Sequence, residues 1–144
     1  MEKSEKAIQL FKTLNCNQAV LAVYGPDYGV SEELCINLGL GYGGGMGRQG
    51  RTCGAVTGAY TVIGLWAADK AVDLPAKKKL AAQKVQEFNQ LFTRLYGHLD
   101  CKDLLGYNLS IPEEDAKVKE LNLFDIVCPK LVGKAAELLD EILK

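Results

Sequence analysis

The sequence is poor in the residues on which most hydrolytic and metal chemistry depends. It has one histidine and one tryptophan among 144 residues. No Ser-His-Asp set, paired acids or phosphate-binding loop can be read from the remainder. None of the five cysteines forms a CxxC pair, which removes the zinc ribbon and the thioredoxin-type active site as readings of local spacing. Net charge is nearly absent, with 17 basic against 18 acidic residues and a pI of about 5.9, and no basic patch stands out. Nucleic acid is therefore excluded as the expected partner. The start, Met1-Glu2-Lys3-Ser4-Glu5-Lys6, is charged and no apolar h-region follows, so no secretory signal is expected. The uncharged run from Cys53 to Ala68 falls short of the roughly 20 residues that cross a bilayer. It also carries Thr57 and Thr61, and reads as a core helix rather than a membrane span. The expected compartment is the cytoplasm.

What is present fits a single domain over residues 1–144, large enough to bury a core without staples. Its organising stretch is Arg51-Thr52-Cys53-Gly54-Ala55-Val56-Thr57-Gly58-Ala59, introduced by the glycine-rich run from Gly39 to Gly47. A cysteine thus stands where a flexible loop becomes the most apolar helix of the chain. A helix start offers unpaired N–H groups and the positive end of a dipole, and both favour thiolate over thiol. Thr52 is the expected cap, and Arg48 and Arg51 just before it would lower the Cys53 pKa further. Gly54 and Gly58, four apart, make one face nearly bare backbone.

Along the rest of the chain the periodicity is helical throughout. Residues 3–14 carry Ala7, Ile8, Leu10, Phe11 and Leu14 at helical spacing. Asn15-Cys16-Asn17-Gln18 reads as a capping box that opens a helix ending at Gly25-Pro26. Ser31 caps a short helix to about Leu38, with Cys35 inside it as a core residue. Gly39, Gly41 and Gly44 spell GxGxxG, but a helix rather than a strand precedes them, and the dinucleotide reading fails on that context. Asp73-Leu74-Pro75 opens a long helix that Gly97 closes. Asp100-Cys101 starts a brief one, Pro112 another, and Cys128, placed before Pro129, is biased toward a capping conformation ahead of the last helix. Lys77, Lys78 and Lys79 belong to a solvated face. No strand, repeat or linker emerges. The expected architecture is an all-α, single-domain bundle of about six or seven helices.

Cys16, Cys53, Cys101 and Cys128 therefore share one local setting, the first or capping position of a helix, whereas Cys35 does not. Helix starts hold thiolates, whether as nucleophiles or as metal ligands. In this pattern the chain resembles the C-GCAxxG-C-C family, a prokaryotic group of about this length described as redox-active. The resemblance runs through Asn15-Cys16-Asn17-Gln18-Ala19-Val20, the glycine run, Cys53-Gly54-Ala55-Val56-Thr57-Gly58, Cys101 with Leu104-Leu105-Gly106, and Cys128. One departure is visible: cysteine here precedes the first glycine of the central motif. The resemblance implies a redox or metal role and supplies no mechanism.

Three functions follow as alternatives. The first is thiol–disulfide or electron-transfer chemistry at Cys53, Cys16, Cys101 and Cys128, as in a thiol-dependent oxidoreductase, with Cys53 attacking and His98 available as a base near Cys101. The second is a metal or iron–sulfur site with the same four cysteines as ligands, His98 being a substitute. Gly43, Gly44, Gly45, Gly54 and Gly58 are the cofactor-binding candidates, since bare backbone lets N–H groups approach sulfur or a ligand. The third is a structural or interaction module whose cysteines only fill space. The redox partner or small molecule, and whether the chain forms a homo-oligomer, lie beyond the sequence.

Overall fold

A computed structural model describes the whole chain, Met1–Lys144. It contains nine α-helices and no strand: α1 (Lys3–Leu10), α2 (Cys16–Tyr24), α3 (Glu32–Leu38), α4 (Gly54–Lys70), α5 (Leu74–Tyr96), α6 (Cys101–Leu105), α7 (Pro112–Glu120), α8 (Leu123–Ile126) and α9 (Cys128–Ile142). Two of these, α6 and α8, are single turns, and setting them aside leaves the seven helices of an all-α bundle. Pairing of the β type is confined to an isolated bridge between Thr52 and Asp100. No helix is long and apolar enough to cross a membrane.

The starts and stops follow the capping chemistry. At α2 the Asn15 side chain accepts from the Gln18 backbone N–H while the Gln18 side chain accepts from the Asn15 N–H, a closed capping box. Ser31 and Asp73 cap α3 and α5 in the same sense, and Gly97 ends α5 in the left-handed region at φ 79°. Three boundaries differ from the sequence reading. α1 stops at Leu10 instead of continuing to Leu14, because Asn15 must be extended (φ −78°, ψ 172°) to cap α2. Cys53, not Thr52, is the cap of α4, because Thr52 is drawn into its bridge with Asp100 and the Cys53 N–H donates to Leu99 O at 2.8 Å. Cys128 is a helical residue of α9 despite the proline after it. The chain arrives from α8 already in the helical region at Val127, and Pro129 falls where its missing N–H costs no helix bond.

The main core is built by α1, α2, α4, α5 and α9. α2 and α4 form its centre: eight of the nine α2 residues are buried, and α4 contributes Ala55, Val56, Ala59, Val62 and Ile63 at or near zero exposure. α5 lays Phe88 and Phe92 onto them, stacked on each other with ring centroids 5.7 Å apart and flanked by Tyr60 and Tyr96. Leu95, near the end of the same helix, is exposed. α9 closes the bundle with Leu131, Val132, Ala135, Leu138, Leu139 and Ile142. A second, smaller cluster gathers Cys101, Leu105, Leu109, Val118 and Cys128. Cys35 belongs to the main core, fully buried, its thiol against the Val30 carbonyl.

Two glycines give opposite expectations. A Cβ at Gly25 would run into the Cys35 sulfur, so Gly25→Ala is expected to lower the unfolding free energy by about 1–3 kcal/mol. Gly64 sits exposed within α4 with nothing near its would-be Cβ, so Gly64→Ala is expected to raise it by about 0.5–1 kcal/mol. Urea unfolding of the two variants beside the wild type checks both signs.

Candidate functional site

The four cysteines that share helix-start positions line one cavity of about 480 Å³, at the seam between the main core and the smaller cluster. Four separate elements deliver them. Cys16 opens α2, Cys53 caps α4, Cys101 opens α6 and Cys128 opens α9. Cys53, Cys128 and Cys101 are buried at 4%, 6% and 9% exposure, and Cys16 is partly buried. Phe11, Leu14, Leu104, Leu105, Phe124 and Leu131 supply apolar wall, and the glycine run supplies bare backbone.

Small residues make this convergence physical. A Cβ on Gly54 would lie 2.7 Å from the Asn17 nitrogen and 2.9 Å from the Cys16 Cβ. Hydrogen at that position is therefore what lets the starts of α2 and α4, and with them Cys16 and Cys53, approach each other. One turn on, Gly58 performs the same service against Asn17 and Val20. Gly58, a cofactor-binding candidate in the sequence, packs against α2 and is not among the residues lining the cavity. The buried Asn17 amide donates to Thr57 Oγ1 at 3.0 Å and ties the same two helix starts. Gly43, Gly44, Gly45 and Gly54 do line the cavity. Gly45 takes φ +74°, and a Cβ there would meet Cys101 Cβ at 2.7 Å, so glycine alone lets the loop lie on that cysteine.

Cys16, Cys53 and Cys101 do not ionise alike. The Cys16 thiol is in hydrogen-bonding contact with those of Cys128 and Cys53, and these contacts, with burial, hold Cys16 well above the ordinary thiol range. Cys53 is shifted the other way. The hydrogen bond from Cys16 stabilises its thiolate most, and the N–H groups of Ala55 and Val56 add to this against the cost of burial. Cys101 is pushed up to about 12, chiefly by burial and then by the charge of its cysteine neighbours, with Arg48 opposing.

A helix start alone therefore does not activate a cysteine here, and the structure shows why. At α2 the capping box already occupies the Gln18 N–H. At α6, a single turn, the Cys101 and Lys102 N–H groups donate to Arg51 O at 2.6 Å and Gly50 O at 3.2 Å. α4 is 17 residues long and has no side-chain cap; the Ala55 N–H faces the Cys53 sulfur, and the Val56 N–H, which also donates to Cys53 O at 2.9 Å, adds to it.

Two expected helpers are elsewhere. Arg48 pairs with Asp115 at 2.6 Å and acts on Cys101, and Arg51 is exposed, so neither arginine lowers Cys53. His98 is exposed in the turn between α5 and α6 and is not part of the cavity wall. The sequence reading missed Asn17 and Asp115. Asn17 was visible only as a member of the capping box, and Asp115 as one acid among three in α7. No grouping of three or more His, Cys, Asp or Glu side chains is disposed about a single metal-ion position.

Fold and site together define a helical thiol protein: a bundle that buries four convergent cysteines and sets one of them apart in acidity. Residues 14–142 match the sequence model of the family described as "Putative redox-active protein (C_GCAxxG_C_C)", and the chain belongs to that family. No curated protein and no solved structure matches the chain.

Cys101 gives the site a pH signature. In the unfolded chain its thiol ionises near 9, whereas in the folded protein it holds its proton up to about 12. The folded state thus binds the extra proton between these values, and stability falls as pH rises through that window. The drop in urea midpoint between pH 8 and pH 10.5 is expected to be smaller in Cys101→Ala than in the wild type.

Proposed function

We propose that this protein is a dithiol–disulfide redox protein in which Cys53 is the attacking thiolate and Cys16 the cysteine that closes the disulfide. One observation carries the reading: two cysteines on abutting helix starts whose acidities are driven in opposite directions, Cys53 down and Cys16 up. Attack on a disulfide needs a thiolate at the first sulfur and a protonated partner that waits.

The steps balance as thiol–disulfide exchange. The Cys53 thiolate attacks one sulfur of an acceptor disulfide, its S–S bond breaks, and the leaving sulfur departs with the electron pair. The charge on Cys53 is then gone, and with it the hydrogen bond that held the Cys16 proton. Cys16 gives that proton to the departed thiolate and attacks Cys53 in the mixed disulfide. The second half of the acceptor leaves as a thiol once it takes a proton from water. Two electrons have passed from the cysteine pair to the acceptor. The buried seam keeps water and unrelated thiols from the mixed disulfide, and Gly54 keeps the two sulfurs' carriers close.

A second reading rests on a different observation: the cavity wall offers four cysteines and neither carboxylate nor imidazole. Such a donor set suits an iron–sulfur cluster, whose thiolates are shared between irons instead of meeting at one ion. Cys16, Cys53, Cys101 and Cys128 would hold it, and it would supply one-electron transfer.

Protein purified without oxygen decides between the two. The dithiol reading expects no acid-labile sulfide, a gain of two thiols on reducing the oxidised protein, and a Cys16–Cys53 link in its peptide map. Cys53→Ser and Cys16→Ser should each abolish that link, while Cys35→Ser should leave it intact. Stoichiometric iron and sulfide, lost in Cys101→Ser, would overturn the dithiol reading in favour of the cluster. A native alkylation profile adds a check on the order of attack. Cys53 is expected to react at a pH below the free-thiol value of about 8.5, and to lose that advantage in Cys16→Ala.

A further inference from the structure

We infer that the disulfide–dithiol couple exchanging electrons in this cavity is a small molecule with an apolar body and a single negative charge. This rests on the dithiol reading and names its substrate class.

Size comes first. Cys53, Cys101 and Cys128 are at most 9% exposed, so the rigid surface of a folded partner cannot bring its own disulfide onto them. A cavity of about 480 Å³ lies within the roughly 300–1,000 Å³ that small ligands occupy. Polarity comes next. The wall offers Phe11, Leu14, Leu40, Leu104 and Phe124, and no carboxylate. Asn15, the one amide there, is committed at both ends, its oxygen to the Gln18 N–H and its nitrogen to Gly39 O. In the oxidised protein, where Cys53 carries no charge, an ammonium group carried into this space would find no free side-chain acceptor, and a poorly paired buried charge is costly.

In the oxidised protein, where Cys53 and Cys16 are joined and uncharged, charge is decided by Arg48, the one charged residue left in the wall. Its ion pair does not cancel its field, because Asp115 is shared with Lys119 at 3.2 Å, so the trio keeps one net positive charge. That charge is felt at Cys101: it opposes burial and the charges of Cys53 and Cys128 there, and among the groups other than cysteines it outweighs Asp100. Arg48 also has N–H donors beyond the one given to Asp115. A carboxylate at the end of an alkyl chain would meet them while its sulfurs reach Cys53.

The exchange is written with a cyclic disulfide of this class, lipoate. The Cys53 thiolate opens the ring by breaking its S–S bond, leaving a thiolate at the far end of the alkyl dithiol. Cys16 passes its proton to that thiolate and attacks Cys53. The second sulfur leaves and takes a proton from water. Lipoate has gained two electrons and two protons, and the protein holds a Cys16–Cys53 disulfide. The reverse reaction reduces the protein.

The test uses the reverse direction on the full-length protein, oxidised with diamide. Dihydrolipoate, dihydrolipoamide and an aminoethyl amide of dihydrolipoate carry one reactive dithiol with charges −1, 0 and +1, and initial rates of thiol recovery are compared. The expected order is anion, neutral, cation, with about fivefold for each unit of charge, the size of one screened charge interaction. Arg48→Met, which keeps the stem and removes the charge, should bring the three within about twofold. Dithiothreitol, a neutral dithiol without the alkyl chain, should be slower than dihydrolipoamide. Equal rates for the three charges, an order unchanged in Arg48→Met, or dithiothreitol as fast as dihydrolipoamide would overturn the substrate class and leave the dithiol reading standing. Failure of diamide to form any Cys16–Cys53 link would overturn both.

Discussion

The close packing of α2 on α4 is the constraint from which the remainder of the structure follows. Both helices begin at a cysteine, and neither start could reach the other if α4 carried side chains at Gly54 and Gly58. The Asn17–Thr57 hydrogen bond sets the register of the contact. Buried helix pairs of this kind usually serve only the core. Here the pair ends in two cysteines, because the contact extends to the first residue of α2 and the cap of α4. α9 and α6 then bring Cys128 and Cys101 to the same seam.

Burial and helix geometry act against each other at this seam, and the outcome differs from thiol to thiol. Burial penalises every thiolate. Cys53 has enough compensation where Cys16 and Cys101 do not, since it receives a hydrogen bond from Cys16 and stands at the start of the long helix α4. Cys16 spends its own proton on its neighbours and is harder to ionise for it. The result is a division of labour among chemically identical side chains, produced first by which thiol donates to which and by burial, with the backbone donors of α4 adding to it at Cys53.

The glycine run is best understood as the wall that such an arrangement needs. Between Gly44 and Gly50 the backbone turns repeatedly through the left-handed region, including the non-glycine residues Met46 and Arg48. It is held by its own carbonyls and by bonds from the start of α6. A loop so conformed can lie against Cys101 without a side chain in the way, and it carries Arg48 to the edge of the cavity. The dinucleotide motif spelled by its letters has no strand before it, and the loop's glycines answer to packing on sulfur.

Much of the fold was legible in the residues themselves. The Asn15–Gln18 capping box, the Ser31 and Asp73 caps and the Gly97 stop involve groups within a few positions of one another, so local chemistry determines them without help from the rest of the chain. The helical character of the bundle, the core place of Cys35 and the helix-start setting of four cysteines were local in the same sense. Tertiary structure decided what local chemistry leaves free. It capped α4 at Cys53 by pairing Thr52 with Asp100, carried α8 into α9 through Cys128, and turned Arg48 toward Asp115 and Cys101. It also left His98 in solvent and made Gly58 a packing residue. Above all it decided which cysteine is acidic. That depends on which N–H groups and thiols surround each sulfur, and those neighbours come from elements far apart in the chain.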